Sequence, residues 1–206
     1  MRGRARFFLA PIITAVMTAV AVPPAAERGA ALLDAGADVR IDRAFVPSAD
    51  RRQGEVRIIR RGPHVVVQTL LYSKVIKRVV GAIVDKERAG WPEKSEGHAD
   101  MERYVAALQE AQRQIPKPEA APGTEGDRRA KLLIEFIDDP AHPIVALGGV
   151  EIGEESGEVS IRQRRSPMVL EPSPGYVRRN MTLIVADAFH LSTAEAEARL
   201  AAAARR

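Results

Sequence analysis

The chain has 206 residues, 46% of them hydrophobic, with 31 Lys+Arg against 27 Asp+Glu and no cysteine. Without cysteine there are no disulfides and no thiolate chemistry, so the fold must hold by burial alone; a domain near 150 residues can do this by burying roughly 70% of its unfolded surface. The formal charge of +4 would point to nucleic acid or an anionic surface, but three of the arginines lie in residues 1–26, which hold no acid, and removing them leaves 28 basic residues against 27 acidic ones.

Residues 1–26 have the tripartite form of a cleaved export signal: Arg2, Arg4 and Arg6, then sixteen uncharged residues from Phe7 to Val22, then small residues before Glu27. The apolar run is shorter than the ~20 residues that cross a bilayer, and Pro11 interrupts it, so it reads as a signal rather than an anchor. Cleavage fits after Ala21 or after Ala26. With 25 arginines and only six lysines, the composition points to a bacterial chain. Its destination is periplasmic or secreted, and the mature part is expected to keep no membrane contact and to bind no nucleic acid.

After the signal, Val39, Ile41 and Phe45 suggest an edge-type strand. The stretch GEVRIIRRGPHVVVQTLLYS reads as a hairpin of residues 55–60 with 65–71, turned at Gly62-Pro63. Its second run is apolar at successive positions, the pattern of a central strand buried on both faces. A helix over about 73–89 follows, with Ser73 at the N-cap. Val75, Ile76, Val79, Val80, Ile83 and Val84 recur at helical spacing, opposite Lys74, Lys77, Arg78, Asp85 and Arg88. This stripe is β-branched and has little intrinsic helix propensity, so burial must stabilise it. It lacks the Trp, Phe and Leu of a membrane-surface helix, which leaves the chain's own sheet as its partner.

Gly90 and Pro92 end that helix. A second amphipathic helix is expected over about 98–115, with Met101, Tyr104, Val105, Leu108 and Ile115 on one face. Residues 116–129, with three prolines and two glycines, form a linker or exposed loop between a half at 27–115 and a β-rich half at 130–206, both within one domain. In the second half KLLIEFID, PIVALGGVEIG, GEVSIRQRR, PMVLEP and NMTLIVADAF read as short strands. Ser192 and Glu195 form a capping box for a terminal helix over about 192–204. The segments starting at Gly54 and Gly157 share Gly-Glu-Val-x-Ile, an echo that two related hairpins would leave. Together these elements predict an α+β fold: a mainly antiparallel sheet covered on one face by amphipathic helices, with a C-terminal helix.

Chemistry-bearing motifs are sparse. No phosphate-binding glycine loop, Gly-x-Ser-x-Gly elbow or His-Glu-x-x-His occurs, and no cofactor or metal is expected. His98 with Glu102 one turn on, Asp138 and Asp139 with His142, and Asp187 with His190 are the groupings a metal-assisted hydrolase could use. Each has an ordinary reading as a helix start or turn, and His64 likewise follows a turn proline. The paired arginines Arg60-Arg61 and Arg164-Arg165 stand at hairpin ends, where guanidinium groups can meet carboxylates or phosphates in pairs. The sequence thus favours an exported, cofactor-free interaction or structural module that contacts a protein or envelope component through Arg60, Arg61, Arg164 and Arg165. The alternatives are a carrier of a small apolar ligand, which needs an apolar cavity between sheet and helices, and the hydrolase, which needs its histidines and aspartates to converge.

Overall fold

The computed structural model describes residues 38–45, 54–72, 75–115, 129–155, 158–163 and 167–205. The export signal, most of the linker, and Arg164 and Arg165 lie outside the described residues. In chain order the elements are β1 (Asp38–Phe45), β2 (Gly54–Arg61), β3 (His64–Tyr72), α1 (Ile76–Gly90), α2 (His98–Gln114), β4 (Arg129–Ile137), β5 (Ile144–Glu155), β6 (Glu158–Gln163), β7 (Met168–Leu170), α3 (Pro174–Phe189) and α4 (Thr193–Ala204). The fold is α+β. The strands form one antiparallel sheet in the order β1-β2-β3-β4-β5-β6, and β7 pairs with the part of β5 that β6 leaves free. Because β3 pairs with β4, the two halves of the chain share this sheet.

Pleating sorts the sheet into two faces. One row runs Val56, Thr69, Ile134, Leu147 and the next-but-one Ile58, Val67, Phe136, Val145. These side chains form the main core with residues from all four described helices. The alternate rows carry Ile59, Val66, Ile144 and Ala146, with Arg57, Gln68 and Glu135 among them. β3 is therefore buried on both faces, as its run of valines and leucines requires. The β2–β3 turn is the two residues Gly62 and Pro63; Gly62 has φ 57°, the left-handed value a glycine adopts without strain in the first position of a type II′ turn.

α1 buries Ile76, Val80 and Val84 against the core, while Val79 and Ile83 on the same stripe stay half-buried. Its first turn starts later than expected: the helix begins at Ile76 with Val75 in the N-cap position and no side-chain cap bond, and the expected cap Ser73 lies outside the described residues. α2 follows the expected stripe, burying Met101, Tyr104, Val105 and Leu108. α4 has both hydrogen bonds of the Ser192–Glu195 capping box.

The largest departure from the sequence reading is α3. The run NMTLIVADAF, expected as a strand, is the body of this helix, and PMVLEP supplies only the short strand β7. Tyr176, Val177, Asn180, Met181, Val185 and Ala188 are buried at spacings of three and four. The start is set by Ser173, whose side chain accepts from the Tyr176 N–H, and by Pro174 in the first turn. The echo between the halves does not give equivalent hairpins either. β2 pairs with the strand that follows it, whereas β6 and β7 both pair back onto β5.

Candidate ligand-binding site

The half-buried side of the α1 stripe faces a cavity of about 230 Å3 between α1, α3 and the sheet. Val56, Thr69, Leu71, Ile134 and Phe136 form its floor, and Tyr104 of α2 joins the lining. α1 contributes Val79, Ala82 and Ile83, and α3 opposes them with Leu183, Ile184 and Ala188. Short, β-branched and small side chains on α1 do not reach across to α3, which leaves the space open. Among the described residues the charged members of the lining are Lys86 and Asp187, both exposed, one on each helix.

Besides the Tyr104 hydroxyl, two polar groups of the described residues belong to the interior. Asn180 is 4% exposed, and its Nδ2 donates to the Tyr176 carbonyl at 3.2 Å. Thr69 is 7% exposed, and its hydroxyl has no hydrogen-bond partner among the described residues. A buried hydroxyl without a partner destabilises the fold. Thr69→Val keeps the shape and removes that cost, so it should raise the stability of the ligand-free protein by about 1 kcal/mol or more. Urea unfolding measures this; an unchanged or lowered midpoint would show that the hydroxyl is satisfied in solution.

Beside the cavity, a polar and aromatic cluster ties α1 to α3. Glu87 Oε2 accepts from Trp91 Nε1 and from the Tyr176 hydroxyl, each at 3.1 Å. Trp91 stacks on Tyr176 at 5.3 Å, and Tyr104 packs edge-on to Tyr176 and tilted on Phe136. The Arg179 guanidinium covers the Trp91 ring and donates to the Gly90 carbonyl. Gly97 lies so close beneath the same ring that a Cβ would overlap Trp91, so glycine is required there. Burial pushes the Glu87 carboxyl above its ordinary pKa, opposed by the bonds from Tyr176 and Trp91 and by the charges of Arg179 and Lys86. Burial likewise pushes the Tyr104 and Tyr176 hydroxyls up, with the Glu87 charge adding to both shifts.

A raised native pKa means that protonated Glu87 contributes stability below its ordinary value of 4.5, and that this contribution is lost as pH rises through the native value. Glu87→Gln cannot ionise but keeps an acceptor for Tyr176 and Trp91. Relative to the parent, the variant should therefore gain stability between pH 4 and pH 7. Denaturant midpoints at both pH values test this, and a difference that stays constant or moves the other way contradicts the assignment.

The residues singled out in the sequence are spread over the molecule. His98 Nε2 lies 3.2 Å from Glu102 Oε1, the pairing that helical spacing implied, while its Nδ1 lies 3.2 Å from the Trp91 carbonyl. The Nδ1 contact thus ties the start of α2 to the α1–α2 turn, while the Nε2 contact stays within the first turns of α2. Asp139 Oδ1 accepts from the backbone of Ala141 and His142, a turn-forming role, and its Oδ2 is 3.7 Å from His64 Nδ1. Asp138 pairs with Arg178 at 3.4 Å. Asp187 stands on the cavity rim, and His190 ends α3 in the left-handed conformation at φ 56°. Among the described residues no three His, Asp or Glu side chains converge as a metal-binding group.

Arg61, one of the expected contact residues, is engaged within the sheet. It is 5% exposed, bridging Asp38 of β1 at 2.8 Å and Glu135 of β4 at 2.9 Å, and Gln68 Nε2 donates to the same Glu135 at 2.6 Å. Burial works against the guanidinium charge, but the bonds to Asp38 and Glu135 outweigh it and push the pKa up. Strand alternation explains the placement: Arg61 falls on the face shared with Gln68 and Glu135, whereas Arg60, half-buried, falls on the other. The sequence pattern does not reveal the cavity, because residues 180–189 of α3, which supplies one wall, have the composition of a strand. The usable signal was Ser173-Pro174 ahead of residues 176–188 at helical spacing.

Comparison of the chain with family models, with curated proteins and with solved structures found no match.

Proposed function

We propose that this chain is an exported binding protein that holds a small, mainly apolar molecule between α1, α3 and the sheet. The observation that carries the reading is the cavity of about 230 Å3, walled by valine, isoleucine, leucine and aromatic side chains, with a few polar groups at fixed places. The composition of residues 1–26 supports action outside the cytoplasm. An interaction module working through paired arginines draws less support, since Arg61 is engaged with Asp38 and Glu135. The hydrolase reading draws less still, because its histidines and aspartates sit at separate turns and helix ends.

Calorimetric titration of the purified protein with propylbenzene should show saturable binding of one molecule per chain. Ile83→Trp and Leu183→Phe, which fill the space from opposite walls, should each abolish it in protein that remains folded by circular dichroism. Absence of binding, or binding unaffected by either filled variant, contradicts the proposal.

A further inference from the structure

We infer that the cavity selects a neutral, single-ring molecule of about nine heavy atoms that presents one hydroxyl or carbonyl oxygen to Thr69. This rests on the ligand-pocket reading and adds the ligand's size, polarity and charge.

Size follows from volume. An apolar cavity of about 150 Å3 accommodates benzene, with six heavy atoms. The cavity here, at about 230 Å3, scales to roughly nine, a ring bearing a short substituent. The oxygen follows from Thr69. Its hydroxyl is buried on the sheet floor and lacks a partner among the described residues, while the neighbouring Asn180 amide already donates to Tyr176. A hydroxyl both donates and accepts, so an alcohol, a phenol or a ketone can complete it. Neutrality follows from the charges. Lys86 and Asp187 stand at the rim with opposite sign, on opposite helices, and among the described residues the lining holds no other charged side chain. An ionised group carried past the rim loses its hydration without gaining a counter-charge.

Three probes separate these features: para-propylphenol, propylbenzene and para-propylbenzoate, each titrated calorimetrically at neutral pH into the parent and into Thr69→Val. The parent should bind the phenol at least about tenfold more tightly than the benzoate. Thr69→Val should weaken phenol binding about fivefold to tenfold and leave propylbenzene within about twofold, since one neutral hydrogen bond is at stake. If the phenol and propylbenzene respond alike to Thr69→Val, or if the benzoate binds most tightly, the inferred ligand class is overturned while the pocket reading stands. If none of the three binds, both fall.

Discussion

Val80→Asp should cost the protein about 3 kcal/mol or more, a large share of the 5–15 kcal/mol that holds a typical domain together. Val80 is 2% exposed at the centre of the α1 stripe, inside the core formed by the sheet and all four described helices. A carboxylate there loses its water among the apolar side chains of that core. Lys77, three residues earlier on α1 and exposed, is the control. Lys77→Asp should change stability by only about 0.5 kcal/mol. Urea unfolding of the two variants reads the contrast directly. Equal and mild effects would mean that the stripe lies open to solvent, which would remove one wall of the cavity as well as part of the core.

Arg61→Leu should be comparably damaging, by about 3–5 kcal/mol, because it breaks a buried ion pair and strands a carboxylate. Glu135 is 3% exposed, and without Arg61 it loses two guanidinium donors and is left with the Gln68 amide bond among the described residues. Asp38, with a side chain 38% exposed, can turn to water and suffers less. Removing the stranded charge should therefore restore much of the loss: Arg61→Leu/Glu135→Leu should be more stable than Arg61→Leu alone, an interaction of the sign that double-mutant comparison isolates. A double variant as unstable as the sum of the single ones would show that the two groups contribute independently.

The parts of this fold that could be read in advance are those in which one physical signal acts alone. α1 and α2 carry apolar stripes at helical spacing bordered by charges, and β3 is apolar at consecutive positions. The capping box at Ser192 and Glu195 is likewise a local device, decided within four residues. α3 combines conflicting signals. Thr182, Leu183, Ile184 and Val185 form a run with strand propensity, yet Ser173-Pro174 starts a helix and tertiary packing of Val177, Met181 and Val185 keeps it. Propensity alone assigns that run to the wrong element.

The site depends on distances between segments far apart in the chain, and those leave no local trace. Thr69 reads as one more residue of a central strand, and nothing around it in the sequence tells that its hydroxyl is left without a partner among the described residues. Arg61 and Glu135 stand 74 positions apart and meet only because β3 lies between β2 and β4. The histidines, by contrast, attracted attention through their neighbours, and those neighbours proved to be turn and helix-start partners: Asp139 for the backbone of His142, and Glu102 for His98.

The central claim is that the space between α1, α3 and the sheet receives a ligand, and methyl-resolved NMR during a propylbenzene titration tests it most directly. Saturable shifts confined to the methyl groups of Val79, Ile83, Ile134, Leu183 and Ile184, the residues that line that space, are the predicted result. Unmoved signals at those five residues, or shifts scattered over surface methyls such as Val39, would contradict it.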